Sequence, residues 1–212
     1  MTVVVLRHPV LTLLLVTAPV ALSLTACGAS TTGEKIEIGG STALTWGEGS
    51  YGVVLAHGAS YDAASWEEQA VDIADEGTTV VAVEDISPDS IAEAVRHLHD
   101  DGIDDVALVG GSAGADAILR LSTAEPELAD QLVLLSPNRV VEGLGEQPKL
   151  FVASEDEPVA DVSRELAGTA PGPDNELVLL PGSAHAQAIF DSEHGDRTME
   201  LILDRIARAV SR

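Results

Sequence analysis

The segment Val106-Ala107-Leu108-Val109-Gly110-Gly111-Ser112-Ala113-Gly114 decides how this chain folds. Its four leading apolar residues predict a buried strand, and the small residues after them predict a sharp turn into a helix, with Ser112 on the turn. Such a turn exposes the serine hydroxyl on strained backbone, so the crowded positions Gly110 and Gly114 must be small. The pattern alone is also compatible with an ordinary strand-to-helix turn, and its meaning depends on the rest of the chain.

A second strand with a tight turn precedes this segment. Residues 51–56 predict an apolar strand, which leads into His57-Gly58-Ala59. A serine that attacks a carbonyl group needs two backbone N–H groups to bind the oxyanion that forms. The N–H groups of Ala113 and Ala59 are the predicted pair, and Gly58 lets the backbone approach closely. A strand that merely ends in a glycine turn is the alternative.

One of the six histidines is well placed to serve Ser112 as a base. His185 follows the predicted strand 176–180 through a short loop, from which its ring can reach back over the sheet. His97 and His99 lie two residues apart on a predicted helix, so they face different ways and make a poor metal-binding pair. The sequence therefore predicts His185 as the base and no metal site.

The acid that would orient this base is ambiguous. The predicted strand 149–154 is followed by Glu155-Asp156-Glu157. A run of acids is often only a solvated loop, but one of the three can point inward. Asp156 is the predicted partner of His185, and Glu157 is the alternative.

The candidate residues follow the order Ser112, Asp156, His185 along the chain. This is the order of nucleophile, acid and base in the α/β-hydrolase superfamily, and it differs from the order in chymotrypsin- and subtilisin-type enzymes. With the turn at 57–59, the chain resembles this superfamily from about residue 35 to its C-terminus. It departs from the usual pattern in its three consecutive acids and in Ala186, where many members have glycine.

The resemblance implies a serine hydrolase that acts on carboxylic esters without a cofactor. Ser112 would attack, His185 would move the proton, Asp156 would orient the imidazole, and Ala59 and Ala113 would form the oxyanion hole. Amide cleavage or acyl transfer with the same residues is one alternative, and a non-catalytic binding module with the same fold is another. A dinucleotide-binding turn is excluded, because the Gly-x-Gly-x-x-Gly spacing fails in every register here.

Strand and helix patterns alternate over residues 35–212, which predicts one α/β domain with a mostly parallel central sheet and helices on both faces. Two strands before residue 50 are expected to form an antiparallel edge. Only twelve residues, 137–148, separate two consecutive predicted strands at the place where the superfamily inserts its caps. We therefore expect no cap domain, an open site, and small or short-acyl ester substrates.

The N-terminus resembles a bacterial lipoprotein signal peptide. Arg7 is followed by an almost wholly apolar stretch, residues 9–24, and then by Leu24-Thr25-Ala26-Cys27. A membrane-spanning helix is the alternative, but sixteen residues are short for one, since spanning needs about 20. The predicted organisation is a signal peptide over 1–26, lipid on Cys27, a flexible tether over 27–34, and an extracytoplasmic domain attached to the cell membrane. Cys27 is the only cysteine, so no intramolecular disulfide can form.

The chain is strongly acidic. It has 35 Asp and Glu residues against 11 Lys and Arg residues, a formal net charge of −24, and removal of residues 1–26 would make this −25 because Arg7 is their one charged residue. Such a surface excludes nucleic acid and disfavours anionic lipid headgroups as direct partners. Ordinary solubility and a salt-rich habitat are both compatible with this excess of carboxylates.

Added salt should stabilise the protein, because it screens repulsion among the carboxylates. We expect the thermal midpoint of unfolding to rise between dilute buffer and about 1 M sodium chloride, where the Debye length is roughly 3 Å. Calorimetry at fixed pH measures this shift. A midpoint that stays constant or falls would contradict the electrostatic interpretation.

Overall fold

Among the residues that the structure describes, eight strands and five α-helices form an α/β chain, as the sequence predicts. The computed structural model describes residue 1 and residues 31–210, so the predicted lipidation site Cys27 and nearly all of the predicted signal peptide lie outside the described residues. The strands are β1 Glu34–Ile38, β2 Ser41–Trp46, β3 Tyr51–Ala56, β4 Thr78–Val83, β5 Val106–Gly111, β6 Gln131–Leu135, β7 Lys149–Ser154 and β8 Asn175–Leu180. The helices are α1 Glu67–Asp75, α2 Pro88–Asp100, α3 Ala113–Ala124, α4 Ala160–Thr169 and α5 Gly195–Val210, with 3₁₀ turns at Ala63–Trp66 and Ala186–Ile189.

The strands form one sheet in the order β1-β2-β4-β3-β5-β6-β7-β8. Strand β2 pairs antiparallel with β1 and with β4, and every other neighbouring pair is parallel. This confirms the predicted antiparallel edge on a mostly parallel sheet. The register brings the carboxyl ends of the central strands together, since Ala56 lies opposite Gly110 and Gly111 lies opposite Leu135.

Apolar side chains cover both faces of this sheet. Every residue of β3, β5, β6 and β7 is buried, which is the pattern of parallel strands packed between two helical layers. One face packs against α2, α3 and α4 through residues such as Ile91, Ile118 and Leu166. The other packs against α1 and α5 through residues such as Ile73 and Ile202. The two layers fix the strand ends on which the candidate site is built.

No cap domain interrupts the fold over residues 31–210. Strand β6 ends at Leu135 and β7 begins at Lys149, and the connection between them holds neither a helix nor a strand. The first residues of this connection lie beside Ser112, as the contact of Asn138 with the serine hydroxyl shows. The expectation of a compact, capless domain is therefore confirmed.

The part of the predicted tether that the structure describes is bound to the domain. Thr31 and Thr32 donate hydrogen bonds to the carboxylate of Glu67 at the start of α1, and β1 already begins at Glu34. Burial tends to raise the pKa of Glu67, but the threonine hydrogen bonds outweigh it and hold this pKa below its usual value. Within residues 31–210, no helix combines the length and apolarity needed to cross a membrane.

Candidate active site

Ser112 sits on a strained turn between β5 and α3. Its backbone has φ 50° and ψ −110°, a conformation that a residue with a side chain seldom adopts. A Cβ atom on Gly114 would lie 2.1 Å from the carbonyl oxygen of Ala56, and one on Gly110 would lie 2.6 Å from Cδ1 of Ile118. Both glycines are thus required for α3 to start so close to the sheet, as the sequence pattern predicts.

A chain of hydrogen bonds links Ser112, His185 and a buried carboxylate. Nε2 of His185 lies 2.8 Å from Oγ of Ser112, and Nδ1 lies 2.6 Å from Oε2 of Glu157. A carboxylate only accepts hydrogen bonds, so Nδ1 carries the ring proton of neutral His185 and Nε2 is left to accept the Ser112 hydroxyl proton. This arrangement can make the serine nucleophilic.

The carboxylate that contacts His185 is that of Glu157, the alternative in the sequence analysis, and not that of the predicted Asp156. The chain makes a tight turn after β7, with the N–H of Glu157 pointing to the carbonyl oxygen of Ser154. The two middle residues of this turn, Glu155 and Asp156, are exposed, whereas Glu157 is 4 % exposed. The first of the three acids to point inward is therefore Glu157, one residue later than predicted, and its longer side chain reaches His185.

Ser136 ties this acid to the loop that carries the base. Its hydroxyl donates to Oε1 of Glu157 at 2.7 Å and accepts from the N–H of Ala186 at 2.9 Å. Within the part of the chain that the structure describes, the non-glycine residues with positive φ are Ser112, Ser136 and Ala186. All three lie in this site. Such strain persists only where surrounding contacts hold it. The sequence analysis did not single out Ser136, because a lone serine at the end of a strand forms no recognisable motif.

The turn predicted to supply the second oxyanion donor lies next to the elbow of Ser112. Gly58 in this turn donates its N–H to Oε1 of Gln187 at 2.7 Å, and its carbonyl oxygen accepts from the N–H of Tyr61. These contacts hold the turn in place and leave Ala59 exposed at its tip. Ala113 is the first residue of α3, where backbone N–H groups have no partner within the helix. Ala113 therefore directly follows the serine, and Ala59 lies on the turn that flanks the elbow.

Asn138 is a neighbour of the serine that the sequence did not single out. Its Nδ2 atom lies 3.3 Å from Oγ of Ser112, on the short connection that replaces a cap. A cleft of about 250 Å³ lies near the 57–59 turn and is lined in part by Tyr61, Gln187 and Phe190. A larger cavity of about 480 Å³ includes Gln131 and Asn175 and lies at the amino ends of the strands, away from the serine. Among the described residues, no cluster of three or more His, Cys, Asp or Glu side chains could hold a metal ion.

Comparison with known proteins identifies the fold. No protein-family model matches the sequence, and no curated protein matches it significantly. A crystal structure of Paleococcus ferrophilus monoacylglycerol lipase superposes with a TM-score of 0.68 at 13 % identity, covering 78 % of this chain and 98 % of that one. A crystal structure of EstE5 soaked with p-nitrophenyl butyrate gives a TM-score of 0.73 at 13 % identity and 85 % coverage of each chain. A crystal structure of a predicted CIB-like hydrolase from Thermoplasma acidophilum gives a TM-score of 0.65 at 18 % identity, covering 85 % of this chain and 100 % of that one. The chain has the α/β-hydrolase fold.

The geometry predicts which acid controls the reactivity of Ser112. Glu157→Gln removes the charge that fixes the imidazole tautomer, so it should slow modification of Ser112 by phenylmethylsulfonyl fluoride roughly tenfold or more. Asp156→Asn is the matched control, and its rate should stay within about twofold of wild type, because its side chain is exposed. Mass spectrometry of the modified protein over time measures both rates. The opposite ranking would return the role to Asp156.

Proposed function

We propose that this protein is a serine hydrolase that cleaves carboxylic esters through an acyl-enzyme intermediate. The observation that carries the proposal is the hydrogen-bond chain from Ser112 through His185 to Glu157, with lengths of 2.8 and 2.6 Å, on a strained turn. A binding module would have no need of a serine held in this conformation against a histidine base. The same arrangement occurs in acyl-transfer enzymes of unrelated folds, where geometry and not sequence defines it.

The reaction begins when Oγ of Ser112 attacks the ester carbonyl carbon while Nε2 of His185 takes the hydroxyl proton. The carboxylate of Glu157 stabilises the imidazolium that forms. The N–H groups of Ala113 and Ala59 bind the oxyanion of the tetrahedral intermediate. Its collapse breaks the ester bond, and His185 returns the proton to the departing alcohol. Water then attacks the acyl group by the same route, which releases the acid and restores Ser112.

The absence of a cap between β6 and β7 supports small or short-acyl substrates. Each buried CH₂ group contributes about 0.8 kcal/mol, but only while there is protein surface to bury it against. An open site offers little such surface to a long acyl chain. The soaking of EstE5 with p-nitrophenyl butyrate shows the kind of ester used with one protein of this fold.

A series of p-nitrophenyl esters from acetate to palmitate tests the function. We expect hydrolysis that is fastest for short acyl chains, without activation at an oil–water interface. Ser112→Ala should abolish it, since loss of the nucleophile costs orders of magnitude in kcat. The control is Ser50→Ala, which changes an exposed serine before β3, at the other end of the sheet.

A Ser112→Ala variant that keeps more than about a tenth of the wild-type rate would show that Ser112 is not the nucleophile. Preference for emulsified long-chain esters would contradict the open-site argument alone. Hydrolysis of none of the esters, with Ser112 inert to fluorophosphonates, would favour a non-catalytic module.

We also propose that the protein is a bacterial lipoprotein, attached to the outer surface of the cell membrane through lipid on Cys27. The support is the sequence pattern of residues 7–27, in which a charged start, an apolar stretch and small residues precede the single cysteine. Acyl chains attach a protein stably when at least two signals are combined.

Cys27→Ala should abolish processing and lipid attachment. We expect the wild-type protein in the membrane fraction, with a lipid-bearing N-terminal peptide by mass spectrometry. The variant should be unprocessed, or soluble without lipid. Ser30→Ala, three residues away, is the control and should behave like wild type. A wild-type protein recovered entirely in the medium with a free Cys27 thiol would contradict the proposal.

A further inference from the structure

We infer that the side-chain amide of Asn138 is a further catalytic group, which donates a hydrogen bond to Oγ of Ser112, and that the buried carboxylate of Asp116 positions it. The inference rests on the proposed serine hydrolase function. It adds a hydrogen-bond donor that acts on the oxygen of the nucleophile, separate from the predicted oxyanion hole and from the triad.

Two hydrogen bonds hold Asn138 against α3, the helix that follows Ser112. The backbone N–H of Asn138 donates to Oδ1 of Asp116 at 2.8 Å, and its Nδ2 atom lies 3.2 Å from Oδ2 of the same carboxylate. The remaining polar contact of Nδ2 is with Oγ of Ser112 at 3.3 Å. The side chain that touches the serine is therefore fixed by a residue one helical turn beyond that serine.

Hydrogen-bond chemistry fixes which end of the amide faces the serine. An ionised carboxylate can only accept, so the atom facing Asp116 must be the NH₂ group of Asn138 and not its oxygen. That group has two hydrogens, one for each of its two acceptors. The Ser112 hydroxyl donates its hydrogen to Nε2 of His185, so its oxygen is free to accept the second hydrogen of the Asn138 amide.

Asp116 has no place in the triad, yet it is 6 % exposed in the first turn of α3. A buried carboxylate is costly unless hydrogen bonds compensate it. Those it makes in the structure are the two from Asn138, together with an ion pair in which Nε of Arg139 lies 3.4 Å from Oδ2. The buried carboxylate of Asp116 in α3 is therefore best explained by the need to hold the Asn138 amide in position beside Ser112.

A hydrogen bond donated by Asn138 to Oγ of Ser112 acts in both acylation and deacylation. Negative charge builds on Oγ as it loses its proton and attacks, and builds again when Oγ leaves the acyl group during deacylation. A fixed N–H group stabilises this charge without gaining or losing a proton. Acylation and deacylation should therefore slow together when the donor is lost, which lowers kcat and leaves KM nearly unchanged.

The test measures acylation and deacylation rates by stopped flow with p-nitrophenyl butyrate, together with kcat, KM and the thermal midpoint. Asn138→Ala should lower kcat roughly ten- to a hundredfold, the range for a hydrogen bond to a charged group, with KM within about twofold of wild type. Asn175→Ala is the matched control. Asn175 donates to the carbonyl oxygens of Ala170 and Pro171 near the opposite end of the sheet, so its loss should lower stability and not kcat.

The double variant Asp116→Asn/Asn138→Asp separates catalysis from loop clamping. The swap keeps an amide and a carboxylate facing each other, so the thermal midpoint should recover relative to Asn138→Asp alone. It leaves no donor on the loop to face Ser112, so kcat should stay low. Recovery of kcat together with stability would overturn the inference and leave only a structural clamp.

Two other results would also overturn the inference. One is an Asn138→Ala variant whose rates match wild type while Ser112→Ala is inactive, and the other is a loss confined to KM. Failure of the proposed function itself looks different: either Ser112→Ala would keep more than about a tenth of the wild-type rate, or the wild-type protein would hydrolyse none of the esters.

Discussion

The buried carboxylate of Glu157 is the group on which the rest of the site depends. It lies with no exposed side-chain surface and receives hydrogen bonds from the backbone of Ser154, from Ser136 and from His185. These three donors come from the end of β7, the end of β6 and the loop after β8. Removal of any one would leave a buried charge short of a partner, which is strongly unfavourable. The need to satisfy this one charge therefore ties three neighbouring chain segments together.

Backbone strain is the second constraint, and among residues 31–210 the non-glycine residues with positive φ all lie in this site. Ser112, Ser136 and Ala186 adopt positive φ, and each is held by a contact across the site. The N–H of Ser112 bonds to the carbonyl oxygen of Leu135, and Ser136 bonds to both Glu157 and Ala186. The parallel register places the carboxyl ends of β5, β6 and β7 side by side. Hydrogen bonds between these neighbouring ends therefore hold the strained residues in place. The site is thus preorganised before any substrate binds.

The sequence predicted the parts of this structure that have local patterns. Apolar strands separated by amphipathic helices predict the parallel sheet, and Gly110 and Gly114 predict the elbow, because only a small residue fits there. The choice between Asp156 and Glu157 could not be made, because it depends on the tight turn after β7. Ser136 and Asn138 lie in irregular chain, where spacing carries no information. Asp116 did leave a trace, as a lone acid among small and apolar residues at the start of α3.

The measurement that tests this account most directly is the location of the acyl group during turnover. Acid quenching with p-nitrophenyl butyrate in excess, followed by peptide mapping, should show one butyryl group per protein, on Ser112, formed together with a burst of p-nitrophenol. In Glu157→Gln the burst should slow greatly, because the imidazole tautomer is no longer fixed. An acyl group on another residue, or hydrolysis with no burst and no acylated peptide, would contradict the account.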